Sequence, residues 1–297
     1  MRLKDKVAII TGAASGIGEA AARLFVENGA FVVIADIQDE LGDQVVSSIG
    51  PDKASYIHCD VTDEKQVEEA VAYALYKYGT LDIVYSNAGI VGSMRPILDI
   101  DMNEFENMID VNVCGGAAMI KHAGRAMVAR KIRGSIICTA SATAIRGGIG
   151  PIDYTTSKHA ILGLVHSASF ELGSYGIRVN CVSPITVATP LTCKLPVFNN
   201  FCLDPELIEA FASVTLNLKG MVLKAKDVAE AALFLASEES SCISGHNIVI
   251  DGGLTCTSNI YPIDYVTLVI PFLRWSVHKC ISKCTSILAV CKSYLTT

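Results

Sequence analysis

The chain has 297 residues, 51% of them apolar, and a formal net charge of -6. This composition supplies enough apolar surface for one large α/β domain or two small ones, and it excludes disorder as a description of the whole chain. The acidic balance disfavours nucleic acid and anionic membrane surfaces as partners.

Short runs rich in β-branched residues alternate with longer helical patterns. Strands are predicted at residues 7–11, 31–35, 56–59, 81–85, 135–139, 178–182 and 247–250. Helices are predicted to begin near residues 16, 39 and 63 and to fill 102–129, 154–172 and 225–237. The alternation is typical of β-α-β units, so we expect an α/β fold with a doubly wound parallel sheet (Rossmann) in a single domain, 1–253. The least regular part, 185–223, is predicted to be a loop or a small helical flap.

A glycine-rich segment, residues 11–18, follows the first predicted strand and opens the first predicted helix. At Gly12, Gly16 and Gly18 a side chain would block a pyrophosphate, which the amides at the start of the helix could bind. The segment therefore predicts a dinucleotide site, and the alternative is a turn with a structural role only.

Asp36 lies at the end of the second predicted strand. There a carboxylate can accept hydrogen bonds from an adenosine ribose and repel a 2′-phosphate. Neither residues 13–15 nor 37–38 include Arg or Lys, so we expect NAD rather than NADP. The alternative for Asp36 is a solvated helix cap.

Tyr154 precedes Lys158 by four residues, and Ser141 lies thirteen residues before Tyr154. Residues four apart share a helix face, so the Lys158 ammonium can lie beside the phenol, lower its pKa and make it a base near neutral pH. The Tyr-Lys pair alone could equally be a solvated helix face. Together with Ser141 and the glycine segment it predicts an alcohol or carbonyl oxidoreductase.

These residues together resemble the short-chain dehydrogenase/reductase family, from about Lys4 to Gly253. Further matching positions are Asp60-Val61, Asn87-Ala88-Gly89, Asn112 and Asp251-Gly252-Gly253. The resemblance implies that Tyr154 takes the alcohol proton, that Ser141 hydrogen-bonds the reacting oxygen, and that Lys158 tunes Tyr154 and contacts the ribose. It also implies that Asn112 holds a water that passes protons beyond Lys158, the alternative being a buried helix asparagine.

The resemblance further implies a set of residues around the cofactor, in which Asp60 binds the adenine amino group and Thr189 the carboxamide. The expected NAD contacts are Gly12, Ser15, Gly16, Ile17, Gly18, Asp36, Ile37, Asp60, Val61, Asn87, Ala88, Gly89, Tyr154, Lys158 and Thr189.

Segments 136–144 and 178–191 resemble the plant secondary-metabolism branch, including dehydrogenases of isopiperitenol, borneol and nepetalactol. This likeness implies oxidation of a cyclic monoterpenoid secondary alcohol or lactol to a ketone or lactone. Two alternatives stay open: a carbonyl reductase acting on another small apolar substrate, and an NAD-binding cyclase without net redox chemistry. An apolar wall for the substrate is expected from Ile185, Val187, Leu191, Leu195 and Val197, although each could be an ordinary core or dimer contact.

One position departs from the family pattern, since Ile185 follows Pro184 where many members have glycine. A β-branched side chain excludes a positive φ, so we expect a reshaped pocket with cofactor binding retained. The resemblance also implies a homodimer or homotetramer.

Eleven cysteines are scattered without metal-ligand spacing. Cys59, Cys114, Cys138 and Cys181 lie in or beside apolar segments, and we interpret them as buried thiols in a reducing compartment. Only a few residues, several of them charged, precede the first apolar strand, so the expected location is the cytosol.

Residues 254–297 continue past the family pattern as an atypical C-terminal tail. Its apolar run, 265–270, is too short to span a bilayer. Cys280-x3-Cys284 has no second close pair, so no metal is expected. Membrane-surface binding, subunit packing and an atypical disordered end are the alternatives for the tail.

Overall fold

A computed structural model describes residues 1–193, 195 and 204–256. Residues Met1–Thr255 form one compact unit. The expectations for the tail between residues 257 and 297 and for Val197 lie outside the described residues. The domain boundary at Gly253 remains a prediction.

The strands form one parallel seven-stranded sheet in the order β3-β2-β1-β4-β5-β6-β7. They are β1 Val7–Thr11, β2 Phe31–Asp36, β3 Ala54–His58, β4 Ile83–Ser86, β5 Ser135–Thr139, β6 Arg178–Pro184 and β7 Asn247–Ile250. The predicted doubly wound α/β fold is thereby confirmed. Strand order reverses beside β1, and ligands of such sheets bind in the crevice outside the carboxyl ends of the strands at that point.

Helices cover both faces of the sheet. They are α1 Gly16–Glu27, α2 Asp39–Ile49, α3 Glu64–Tyr78, α4 Met102–Ile109, α5 Gly115–Ala129, α6 Ile152–Gly173, α7 Pro190–Cys193, α8 Pro205–Thr215 and α9 Ala225–Ala236. The segment predicted as a loop or helical flap contains α7 and α8.

Side chains that alternate along the buried strands enter two separate cores. Ile9 packs with residues of α3, α5 and α6 on one face, whereas Ile10 packs with residues of α1, α2 and α9 on the other. Because both faces are covered, all five residues of β1 are buried. The apolar strands thus hold their polar carboxyl ends at one edge of the sheet.

The helix predicted over 102–129 is not a continuous α-helix. A π-helical segment, Asp110–Cys114, separates α4 from α5. This segment carries Asn112 toward the other site residues, and it also leaves Cys114 exposed, so the expectation that Cys114 is buried is wrong. The predicted burial of Cys59, Cys138 and Cys181 is confirmed.

Candidate active site

The glycine-rich segment lies at the carboxyl end of β1 and leads into α1. Gly12 and Gly16 have positive φ angles of 63° and 60°. A methyl group on Gly18 would overlap the Gly12 carbonyl oxygen. Ser15 is the N-cap residue of α1, and Ile17 lies in its first turn. Bare backbone next to a helix N-terminus fits a pyrophosphate.

Asp36 ends β2 and is only 5% exposed. Its Oδ2 accepts a hydrogen bond from Ala14 N at 2.9 Å, and its Oδ1 accepts from Gln38 N at 3.1 Å and Nε2 at 3.2 Å. These bonds hold the carboxylate beside the glycine segment, where it fits an adenosine ribose. Ile37 is 59% exposed and projects from the protein surface.

Asn87 joins the ends of three neighbouring strands. Its Nδ2 donates to Thr11 O at 3.1 Å and to Gly12 O at 3.2 Å, and its Oδ1 accepts from Thr139 Oγ1 at 3.0 Å. A methyl group on Gly12 would lie 2.8 Å from Ala88 Cα. Asn87 and Ala88 therefore pack directly on the glycine segment.

Three more predicted cofactor residues occupy different surroundings. Asp60 Oδ1 accepts from Thr62 N at 2.9 Å and Oγ1 at 2.8 Å, and Val61 is 8% exposed. A methyl group on Gly16 would lie 3.3 Å from Thr189 Cβ. Thr189 is thus brought to the glycine segment, whereas the side-chain hydrogen bonds of Asp60 are local.

Tyr154 and Lys158 lie one turn apart on α6. Lys158 is 3% exposed, and its Nζ donates to Thr139 O at 2.9 Å and lies 5.4 Å from the Tyr154 ring centroid. Ser141 follows β5, and its hydrogen bond with Tyr154 favours the phenolate. Ser141 Oγ also accepts from Thr143 N at 3.2 Å, which orients the hydroxyl. The structure therefore brings these three predicted residues together.

Burial dominates the electrostatics of this group. It raises the pKa of Tyr154 to about 12, against the lowering effect of the Ser141 hydrogen bond. It also lowers the pKa of Lys158 from its usual 10.5 to about 8. In this conformation the Lys158 ammonium donates to Thr139 O, and burial outweighs the opposing effect of Ser141 on the pKa of Tyr154. That Lys158 makes Tyr154 a base near neutral pH stays a prediction.

Asn112 is 3% exposed and lies at the centre of the π-helical segment. Its Oδ1 accepts from Ile90 N at 2.8 Å, and its Nδ2 lies 3.0 Å from both Ile90 O and Ser157 Oγ. A methyl group on Gly89 would lie 3.1 Å from Asn112 Oδ1 and 3.5 Å from Lys158 Nζ. Gly89 therefore separates Asn112 from Lys158.

A family model described as enoyl-(acyl carrier protein) reductase matches residues 12–255. The chain is 57% identical over 252 residues to short-chain dehydrogenase reductase 3b of Arabidopsis thaliana, with 85% of this chain and 96% of that protein covered. The chain belongs to the short-chain dehydrogenase/reductase family.

Two further similarities place this short-chain dehydrogenase/reductase among its relatives. It is 49% identical over 259 residues to a (+)-cis,trans-nepetalactol synthase of Nepeta racemosa, with 86% of this chain and 95% of that protein covered. The solved structure of a short-chain dehydrogenase/reductase from Mycobacterium marinum is 34% identical, with a TM-score of 0.75 over 86% of this chain and 97% of that one. The predicted resemblance to the plant secondary-metabolism branch is confirmed.

Sequence reasoning missed several residues that build the site of this short-chain dehydrogenase/reductase. Thr11 Oγ1 accepts from the backbone N of Asn87 and of Ala88 at 3.0 Å each, and Thr139 O holds Lys158. Asp153 is a buried acid directly before Tyr154. A threonine that ends a strand and an acid that opens a helix are too common to have been singled out by spacing.

The segment after β6 differs from the expected apolar wall. Val187 is 4% exposed and belongs to the core that contains residues of α1 and α9, which is the core-contact alternative stated for it. Leu191 is 39% exposed. Ile185 N donates to Ile250 O at 3.1 Å, so the backbone extends the pairing of β6 with β7 where many family members have glycine.

Short-chain dehydrogenases/reductases typically bind a nicotinamide cofactor, and the glycine segment with Asp36 fits its adenosine half. No group of three or more His, Cys, Asp or Glu in the described part of the chain could hold a metal ion. None of the helices within residues 1–193 and 204–256 is long and apolar enough to cross a membrane.

Proposed function

We propose that this short-chain dehydrogenase/reductase uses NAD to oxidise a secondary alcohol or lactol of a cyclic monoterpenoid to the ketone or lactone. The observation that carries the proposal is that Tyr154 lies together with the buried side chains of Ser141 and Lys158 at the carboxyl ends of the strands. It lies at the edge of the sheet that also carries the glycine segment and Asp36.

NAD, when bound, supplies the acceptor for a hydride from the carbinol carbon. Tyr154, in its phenolate form, accepts the hydroxyl proton as the hydride leaves. Ser141 Oγ is held by Thr143 N and hydrogen-bonds the reacting oxygen. The Lys158 ammonium is held by Thr139 O beside Tyr154, and it would hydrogen-bond the ribose of a bound NAD. Asn112 holds a water that passes protons beyond Lys158, as the family resemblance implies.

The preference for NAD over NADP rests on Asp36. Its buried carboxylate is fixed by three hydrogen bonds next to the glycine segment, so a 2′-phosphate would meet a negative charge there. Two further acids, Asp39 and Glu40, follow within the first turn of α2. The remaining proposed NAD contacts are those implied by the family resemblance.

The substrate class rests on the relatives. A protein 49% identical to this chain is named a nepetalactol synthase, which supports a compact apolar terpenoid. The same name supports a second candidate, an NAD-binding terpenoid cyclase without net redox chemistry. The other alternative, a carbonyl reductase, would catalyse the reverse of the proposed reaction. We place the enzyme in the cytosol as a homodimer or homotetramer. The buried free thiols and the 87% exposure of Phe170 on α6 support this proposal.

The test is the appearance of NADH when purified protein is mixed with borneol, isopiperitenol or nepetalactol, with NADP run in parallel. We expect turnover with NAD, and a loss of at least about 10²-fold in Tyr154→Phe with NAD affinity unchanged. Full activity in Tyr154→Phe would overturn the assigned base. Conversion of an open-chain terpenoid without NADH formation would favour the cyclase.

A further inference from the structure

Asp153 is a buried acid next to the base that the proposed function assigns. It is 4% exposed and lies in the first turn of α6. Its Oδ1 accepts a hydrogen bond from Tyr154 N at 2.7 Å. Within the described residues, Oδ2 accepts no hydrogen bond, and no Lys, Arg or His forms an ion pair with this carboxylate. A carboxyl oxygen without a protein partner can accept a hydrogen bond from a bound molecule.

The surroundings of Asp153 place it on a wall of the active site. Asp153 and Ser157 are four residues apart on α6 and share a face. Ser157 Oγ accepts from Asn112 Nδ2 at 3.0 Å, so this face of α6 is turned toward Asn112. The adjacent face carries Tyr154 and Lys158. A molecule held at the Tyr154 hydroxyl therefore borders the Asp153 side of the helix.

A short segment, residues 89–92, runs along this wall and contacts Asn112 at one end and Asp153 at the other. Gly89 lies against Asn112 and Lys158, and Ile90 exchanges two hydrogen bonds with Asn112. Three residues after Gly89, a methyl group on Gly92 would overlap the Asp153 carboxylate. The absence of a side chain at Gly92 leaves room for Oδ2 beside the segment that lines the site.

We infer that Asp153 is a substrate-binding residue which accepts a hydrogen bond from a second hydroxyl of the substrate. The inference rests on the proposed function and makes its substrate class narrower: a cyclic alcohol with a further hydroxyl a few bonds from the carbinol carbon. The second hydroxyl takes no part in the chemistry. The carbinol carbon loses a hydride to NAD and its oxygen loses a proton to Tyr154, while Asp153 only accepts a hydrogen bond.

Menthol and p-menthane-3,8-diol form a matched pair for the test. Both have one secondary alcohol, and the diol adds only a tertiary hydroxyl, which cannot be oxidised to a ketone. We would measure kcat/KM for each with saturating NAD, and the dissociation constant of each by calorimetry in the presence of NAD. The binding measurement reports on Asp153 whether or not either alcohol is oxidised.

The variants are Asp153→Ala and the isosteric Asp153→Asn, which covers the case in which the alanine variant does not fold. Glu171→Gln is the matched control, because it removes an exposed acid from the far end of the same helix. We expect wild type and the control to prefer the diol, in kcat/KM and in affinity. Asp153→Ala should lose at least about tenfold of this preference, and Asp153→Asn a smaller part, with menthol values within about threefold.

An equal effect of Asp153→Ala on both alcohols would show that Asp153 only stabilises the start of α6, and would overturn the inference. Equal affinity of wild type for the two alcohols would also overturn it. Absence of NADH formation, with a diol preference that Asp153→Ala abolishes, would support Asp153 as a binding residue and refute the dehydrogenase.

Discussion

Replacing Lys158 by methionine should make the protein more stable at neutral pH while it removes activity. Burial lowers the pKa of Lys158 from 10.5 to about 8, which means that the folded protein disfavours the ammonium. At 1.36 kcal/mol per pKa unit, carrying that charge costs about 3 kcal/mol of folding free energy below pH 8. Methionine keeps most of the side-chain volume and has no charge.

The opposing effect is the hydrogen bond from Lys158 Nζ to Thr139 O. Losing it leaves a buried carbonyl without that donor, at a cost of about 1–3 kcal/mol. We therefore expect Lys158→Met to raise the free energy of unfolding at pH 7 by about 1 kcal/mol.

The pH dependence separates these two contributions. Between pH 8 and 10.5 the unfolded chain binds more protons at Lys158 than the folded chain, so the stability contributed by this residue rises with pH through that window. The free energy of unfolding of wild type minus that of Lys158→Met should accordingly increase by about 3 kcal/mol from pH 7 to 10.5. Ionisation of cysteines and tyrosines far from Lys158 cancels in the difference. Cys138 and Cys181 feel the Lys158 charge, but burial raises the pKa of both thiols above this window.

Urea unfolding at a fixed protein concentration and at several pH values measures this difference. Lys226→Met is the control, because it removes an exposed lysine from α9. Its free energy of unfolding should differ from that of wild type by the same amount at every pH. A wild-type minus Lys158→Met difference that stays constant within about 0.5 kcal/mol would refute the reasoning, since the buried ammonium would then carry no penalty.

Three further changes have distinct expected outcomes. Gly18→Ala should abolish NAD binding measured by calorimetry, because its methyl group would overlap the Gly12 carbonyl, whereas Gly173→Ala has open space and should bind NAD normally. Asp36→Ala should raise the KM for NAD by about tenfold or more and reduce discrimination against NADP. An unchanged ratio of the KM for NADP to the KM for NAD would contradict the proposal that Asp36 binds the adenosine ribose. Hydrogen bonds from Lys121 and His122 lower the pKa of Glu64 to about 2, so the stability that Glu64 contributes is present above pH 4.5 and is lost as the pH falls toward 2. As the pH falls from 4.5 toward 2, the free energy of unfolding of wild type should approach that of Glu64→Gln. A difference that persists at low pH would argue that the ionised Glu64 carboxylate is not the source of this stability.

The sheet could be predicted from the sequence because its strands are apolar on both faces and follow one another at regular intervals. β1, β5 and β7 have the predicted bounds. β3 begins two residues earlier than predicted and β6 runs on to Pro184, because pairing with a neighbouring strand, which local pattern does not reveal, decides where a strand ends.

The candidate site was predictable to the extent that it follows spacing. Tyr154, Lys158 and Ser141 come together because the first two lie one helical turn apart and Ser141 follows the end of β5. The high pKa of Tyr154 was not predictable, because burial and the direction of the Lys158 ammonium are set by tertiary packing. Asp153 escaped notice because an acid in the first turn ordinarily serves the helix N-terminus.

The π-helical segment was invisible to sequence pattern, since one wider turn within a long helix changes the apolar periodicity too little to be seen. At its centre the amide of Asn112 bonds both backbone groups of Ile90 and the hydroxyl of Ser157. These partners lie on other elements, so the distortion is specified only in the folded protein.

That segment also makes the number of residues between α4 and α5 a constraint in its own right. Deleting one residue within Asp110–Cys114 would allow a regular α-helix, and the chain before the deletion would then turn by about 100° and advance by about 1.5 Å relative to α5. Met108, now 1% exposed, would leave the interior, and Asp101 would cap a helix that points elsewhere. A substitution in this segment changes the packing of one side chain, whereas the loss of a single residue would rotate and shift the whole of α4 relative to α5.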